Sequence, residues 1–229
     1  MIEKNISDEF QNNGVVLLKK IIDQKWIDEL RKGVEHNFQN PSKYKCVYEE
    51  VNNQEIFYDD YCNWQRIKEY KNFIFNSDIA KIAGSLMQSN KVNLFHEHVL
   101  IKEKGSKKRT PWHQDQGYYC VQGRDNVSIW IPLDKIDINS SMEFIIGSHK
   151  WDKIFLPTKF KGNDYEHKDK EFEKIPDIEN NRRRAFSVRF TGDDARYIKR
   201  KGEMSPPFPE VKLNNNDILD SKIFPVLRN

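Results

Sequence analysis

The sequence predicts a mainly β domain, a sandwich or barrel, wrapped by a helical layer near its N-terminus. Three observations carry this. From about residue 91 onward, short apolar or alternating runs follow one another at 92–101, 127–133, 142–146 and 185–190, with turn residues between them. Before that, apolar residues recur at helical spacing instead. Finally, 229 residues without an internal repeat fit one large domain. The expected division is a helical layer over about 1–90, a β core over about 91–200 and a tail over 201–229.

In chain order, the opening reads as a short helix, a strand and a longer helix. Gly14 precedes Val15, Val16, Leu17 and Leu18, an apolar run suited to a buried strand. Asp23 then caps a helix whose stripe is Trp26, Ile27, Leu30, Val34 and Phe38, ending near Asn40 and Pro41. A second helix starts at Ser77, with Ile79, Ile82, Ala83, Leu86 and Met87 as its apolar face. Residues 157–181 are charged and aperiodic, and read as loop. Pro206, Pro207 and Pro209 make the tail extended.

Composition excludes several classes. Charged residues make up 32% and mean hydropathy is −0.84, yet 12% aromatics argue against disorder. The 38 Lys and Arg against 35 Asp and Glu leave +3, too mild to argue for nucleic acid. No apolar run reaches the roughly 18 residues of a membrane span, and the N-terminus shows no secretory pattern. Cys46, Cys62 and Cys120 are widely spaced and read as reduced thiols, with no CxxC pair to suggest zinc. A cytoplasmic protein without membrane or nucleic-acid partners is the expectation.

The chemistry concentrates at Pro111, Trp112, His113, Gln114 and Asp115. On a strand, residues i and i+2 face the same side, so His113 and Asp115 converge. An imidazole and a carboxylate are two of the three ligands in the facial triad of non-haem Fe(II) oxygenases. A plain hydrogen-bonded pair is the competing reading of such a triplet.

The surroundings favour the metal reading. After the pair come Gln116, Gly117, Tyr118 and Tyr119; then a Trp130, Leu133, Asp134 strand; then a turn at Asn139 before Met142, Glu143 and Phe144; then Gly147, Ser148, His149 and Lys150. Further on stand Arg182, Arg183, Arg184, Ala185 and Phe186, running through Arg189 and Gly192 to Tyr197. This ordered set resembles the phytanoyl-CoA dioxygenase (PhyH-like) family, from the first helices to about Tyr197.

The resemblance implies a double-stranded β-helix, or jelly roll, and Fe(II) with 2-oxoglutarate and O2 as co-substrates. It implies His113 and Asp115 as metal ligands, a distal histidine as the third, and no catalytic side chain beyond the metal site. It implies Arg183, placed before the Ala185–Phe186 pair, as the partner of the far carboxylate of 2-oxoglutarate, a role suited to a planar guanidinium. Trp130 resembles a family position packed against the co-substrate, with a core tryptophan as the alternative. Lys102 is a further candidate to reach it, with a surface lysine as the alternative. Gln114 is a candidate to support the ligands. His96 and His98 form another same-face pair but read as pocket or core residues, since no carboxylate between strands completes them.

The sequence departs from the family at the third ligand. Residues 173–181, just upstream of the arginines, contain no histidine. His149 lies in a segment the family uses structurally, and His167 lies in a charged loop. Three explanations follow: additional residues of the encoded protein next to Asn181–Arg182 carry the histidine, a natural deletion has made an inactive relative, or a distant histidine substitutes. The first is the expectation, because a jelly roll lacking one strand would expose a sheet edge.

The functional expectation is therefore a 2-oxoglutarate-dependent dioxygenase that hydroxylates a small molecule and releases succinate and CO2. The rivals are a jelly-roll binding protein or inactive relative, and a metalloenzyme that uses no 2-oxoglutarate. The basic loop 104–109 before the ligand pair hints at an anionic substrate, with a solvated loop as the alternative.

Overall fold

The computed structural model describes residues 2–106, 110, 112–138, 141–155, 183–200 and 204–228, with Arg183 described by its backbone alone. Arg182, His167 and the Asn181–Arg182 junction lie outside the described residues.

Two helices open the chain. Helix α1 (Lys4–Asn13) ends at Gly14, whose φ of 78° allows the left-handed cap that returns its N–H to Phe10 O at 2.8 Å. Helix α2 (Gln24–Gln39) starts at Asp23 and ends at Asn40, as its apolar stripe predicts. Its Gly33 gives way to Tyr70, whose ring would lie 2.6 Å from a Cβ placed there. That close approach seats α2 on α3 (Lys68–Asn76), which runs into α4 (Ile79–Met87).

Between α2 and α3 lies a hairpin, β1 (Cys46–Val51) and β2 (Gln54–Tyr61). Asn52 and Asn53 turn it, with φ of 50° and 62°, a conformation that Asn tolerates and hairpins favour. The β core therefore begins well before residue 91. Three further differences from the sequence reading stand here. Residues 15–18 form no strand, and Leu17 is exposed, because no neighbouring strand offers a ladder. Residues 142–146 are irregular rather than a strand, with Phe144 and Ile146 exposed. Helix α3 was not anticipated.

The main sheet is antiparallel, in the order β1-β2-β3-β6-β5, with β3 (Val92–Lys102) at its centre, β6 (Arg183–Thr191) beside it and β5 (Asn126–Pro132) at one edge. The short β8 (Val226–Arg228) pairs with the start of β3. A second small sheet joins β4 (Val121–Gln122) to β7 (Arg196–Tyr197).

Alternation splits the main sheet into two unlike faces. One carries Val99, Ile101, Val127, Ile131, Phe186, Val188 and Phe190, buried against Leu30, Val34, Tyr70 and Phe73 of the helices. At about 25 cal/mol per Å² of apolar area removed from water, this layer is the main source of stability. Positions on the opposite face are His96, His98, Lys102, Ser128, Trp130, Ser187 and Arg189. A register shift between Leu94 and His96 inserts one extra residue, and Phe95 leaves the helical core for a second cluster with Tyr197, Phe208 and Phe224. His96 sits beside it, ring centroids 5.0 Å apart. The sheet thus has one face for folding and one polar face for chemistry.

Candidate active site

His113 and Asp115 come together at the edge of the polar face. His113 Nε2 lies 3.3 Å from Asp115 Oδ1. The strand expected to place them is not what does so. Gln114 is extended, with φ −107° and ψ 125°, and Asp115 opens a single 3-10 turn, Asp115–Gly117. One extended residue is enough to return both side chains to the same side. Gln114 turns the other way, and its Oε1 accepts the Phe155 N–H at 2.9 Å. It ties the ligand segment to residue 155.

The second oxygen of Asp115 is held from behind. Ser128 Oγ donates to Oδ2 at 3.1 Å. Arg189 Nε lies 3.5 Å from the same oxygen and donates to Tyr119 Oη at 2.5 Å. Tyr119 in turn hydrogen-bonds Asp115. Burial pushes the Asp115 carboxyl upward, but Arg189, His113 and Tyr119 outweigh it and hold the group well below the usual carboxylate range. Burial and the Asp115 charge push the Tyr119 phenol well above its ordinary value, against the pull of Arg189, so it stays protonated. Ser128, Tyr119 and Arg189 were not singled out from the sequence. The signal was present for Arg189, since it shares the alternation of β6 with Arg183 and Ser187.

His96 stands directly opposite Arg189 across the β3–β6 pair. Its Nδ1 lies 3.2 Å from Glu97 O, so that nitrogen carries the hydrogen, and burial followed by Arg189 holds the imidazole neutral. Its Nε2 and Arg189 Nη1 are both buried and without a hydrogen-bond partner among the described residues. His98 differs from expectation, because a carboxylate on the next strand does complete it. Asp59 Oδ2 lies 2.7 Å from His98 Nε2 and accepts the Tyr48 hydroxyl at 2.7 Å. His149 ties the chain to α1, Nε2 to Gln11 O at 3.0 Å, consistent with a structural role.

The co-substrate candidates occupy the same polar face at its other end. Lys102 is 9% exposed and stands opposite Arg183 in the β3–β6 register. Trp130 stands opposite Ser187, which stands opposite His98. The backbone of Arg183 is six residues from that of Arg189, about 20 Å along a strand. The structure thus brings the side chains of His113 and Asp115 together and pairs the backbones of Lys102 and Arg183, with Trp130 at a register position between them. Arg184 faces the other way, with two contacts to Asp134 and one to Glu35.

The donor set fits Fe(II) at two positions. An ionised carboxylate oxygen and an imidazole nitrogen face each other at a spacing that one ion can bridge. Among the described residues no third His, Cys, Asp or Glu joins them.

The sequence profile of phytanoyl-CoA dioxygenase (PhyH) matches residues 10–189. The chain belongs to the phytanoyl-CoA dioxygenase family. It is accordingly a 2-oxoglutarate-dependent non-haem iron dioxygenase, with Fe(II) and 2-oxoglutarate as its cofactors.

Solved structures share the fold at low identity. The α-ketoglutarate-dependent carbocyclase SnoK from nogalamycin biosynthesis superposes with a TM-score of 0.74 at 16% identity, over 98% of this chain and 96% of that one. The epimerase SnoN, in complex with Fe3+, α-ketoglutarate and nogalamycin RO, gives 0.71 at 14%, over 98% of each chain. EctD from S. alaskensis, with 2-oxoglutarate and 5-hydroxyectoine, gives 0.65 at 13%, over 91% of this chain and 82% of that one. No protein of curated function matches the sequence. Among the described residues no helix is long and apolar enough to cross a membrane.

Proposed function

We propose that this protein hydroxylates a small molecule at an unactivated C–H bond, with His113 and Asp115 as two of its three iron ligands. The observation that carries the reading is the 3.3 Å approach of His113 Nε2 to Asp115 Oδ1, with the carboxylate held ionised. In the net reaction 2-oxoglutarate and O2 become succinate and CO2, and one oxygen atom enters the substrate. Bound Fe(II) supplies the O2 chemistry, which side chains alone do not provide.

The chain's own residues supply placement. His113 and Asp115 present two donors on one side and leave the other side to small molecules. Arg183 and Lys102 offer positive charge to the far carboxylate of 2-oxoglutarate, and Trp130 gives it an aromatic wall. The apolar helical layer behind the sheet keeps water from the opposite face. The third ligand is a histidine from additional residues next to Asn181–Arg182, and with that segment the sheets close into a jelly roll. The substrate is anionic, drawn by the basic loop before His113, and the protein acts in the cytoplasm without nucleic acid or membrane.

The test is 2-oxoglutarate decarboxylation by the purified protein reconstituted anaerobically with Fe(II) and then exposed to O2. Consumption of 2-oxoglutarate that His113→Ala abolishes supports the reading. Equal turnover by wild type and His113→Ala refutes it. Mass measurement of the protein from its natural source checks the additional residues.

One observation favours a second reading, a binding protein of the same fold without turnover: among the described residues only two metal ligands converge. It predicts tight binding of 2-oxoglutarate by a protein that never decarboxylates it.

A further inference from the structure

We infer that Arg189 and Ser128 are positioning residues that bind one oxygen of Asp115, with Tyr119 bonded to both the guanidinium and the carboxylate, so that only the other oxygen is offered to the metal. The inference rests on the proposed ligand role of Asp115.

The two carboxylate oxygens of Asp115 have different surroundings. Oδ1 faces His113 Nε2 at 3.3 Å, on the side where a shared ion would sit. Oδ2 faces Ser128 Oγ at 3.1 Å and Arg189 Nε at 3.5 Å. Tyr119 bridges the guanidinium and the carboxylate, accepting from Arg189 Nε at 2.5 Å and hydrogen-bonding Asp115. The anchors come from three separate elements. Ser128 is on β5, Arg189 is on β6, and Tyr119 follows the 3-10 turn that Asp115 opens. β5 and β6 are paired at this level, where Ser128 stands opposite Arg189. The sheet therefore fixes the anchors, and the anchors fix a carboxylate that its own short turn would leave free to rotate.

A carboxylate free to rotate can chelate one ion through both oxygens and occupy two coordination positions. A facial triad needs one position per ligand, so that the opposite face stays open for 2-oxoglutarate and O2. Occupying Oδ2 with hydrogen-bond donors enforces single-oxygen ligation. The arrangement has a cost, because the guanidinium is a cation placed near a metal cation. Charge alone predicts that removing Arg189 tightens metal binding; positioning predicts that removing it loosens binding. The sign of the change separates the two roles.

The test uses Co(II) as an optical probe for Fe(II), titrated into the full-length protein. Visible absorption reads coordination geometry and equilibrium titration reads affinity, both without turnover. In Arg189→Met, which keeps the apolar stem, affinity should fall about 10- to 100-fold, the usual effect of losing such support. The spectrum should shift as the carboxylate closes on the ion with both oxygens. Arg189→Lys, which keeps the charge without the planar fork, should restore part of the affinity. Tyr119→Phe, which leaves both charges in place, should change the spectrum in the same direction. Circular dichroism checks that each variant is folded.

Unchanged or tighter Co(II) binding by a folded Arg189→Met, with the wild-type spectrum, overturns the inference and leaves the ligand assignment standing. Wild type that binds no Co(II), or that binds it as well after Asp115→Ala, overturns the ligand assignment and the inference with it.

Discussion

Lys102 and Arg183 stand directly opposite each other across the β3–β6 pair, two cationic residues at one register position. Lys102 Nζ lies 4.4 Å from the centre of the Phe57 ring. On the proposed reading, the far carboxylate of 2-oxoglutarate is the anion that these two cationic residues hold. Arg183→Ala should therefore raise the KM for 2-oxoglutarate far more than that for the prime substrate. Removing one partner of a buried charge pair costs on the order of 2–5 kcal/mol. Arg183→Lys should recover only part of this, for want of the planar fork, and Lys102→Met should act in the same direction with a smaller effect. Steady-state kinetics with 2-oxoglutarate varied decides it, and an unchanged KM in Arg183→Ala removes Arg183 from the site.

The ligand pair makes a second prediction. His113→Ala and Asp115→Ala should each abolish Fe(II)-dependent decarboxylation. Asp115→Glu should be nearly as poor, since one methylene moves the oxygen off the spot that Ser128 and Arg189 define. Anaerobic equilibrium dialysis against Fe(II), run beside the activity assay, shows whether metal is lost with turnover. Wild-type turnover by either alanine variant contradicts the assignment.

How much of this was legible in the sequence depends on the range of the interaction that makes each part. Helices α2 and α4 were readable because their apolar stripes are local, and β3, β5 and β6 because their alternation is. Residues 15–18 look like a strand by composition, but a strand exists only where a neighbour accepts its ladder. The β1–β2 hairpin was missed although Asn52 and Asn53 are a turn signal, because its strands mix charged and aromatic residues without clean alternation. At the site, His113 and Asp115 were legible because they are two residues apart. Arg189 and Ser128 were not, because β6 and β5 reach Asp115 only through the sheet register. The carboxylate beside His98 was missed for the same reason, since Asp59 lies 39 residues away in the chain.

Neighbouring arginines should separate cleanly by face. Arg184 Nε and Nη2 donate to Asp134 at 3.0 and 2.8 Å, its backbone N–H donates to Asp134 Oδ2 at 2.9 Å, and Nη1 donates to Glu35 at 2.8 Å. These contacts tie β6 to the end of β5 and to α2. Arg184→Ala should lower unfolding stability by about 1.5–3 kcal/mol, the range for hydrogen bonds to charged groups. The KM for 2-oxoglutarate should stay at the wild-type value. Urea denaturation and the same kinetic assay, applied to the Arg183 and Arg184 variants in parallel, should give opposite patterns. A KM effect confined to Arg184→Ala would show that the wrong arginine was assigned to the co-substrate.

Glu97 sets a pH dependence of stability away from the polar face. It lies on β3, fully buried, and its Oε1 accepts the Asn63 N–H while Oε2 has no hydrogen-bond partner among the described residues. Burial pushes its carboxyl up to about 7, against the pull of the backbone donors. In the unfolded chain a glutamate titrates near 4.3. Between these values the folded state binds the proton more tightly, so stability is fully present at low pH and declines as pH rises toward 7. A separation of that size corresponds to about 4 kcal/mol. Glu97→Gln keeps an acceptor for Asn63 and removes the ionisation. It should match the wild type below pH 4 and exceed it by about 4 kcal/mol above pH 7.5. Urea denaturation of both proteins across that range reads the difference directly. A difference that does not grow with pH would mean that Glu97 ionises in the folded protein as readily as in water, and that its unpartnered oxygen is hydrated.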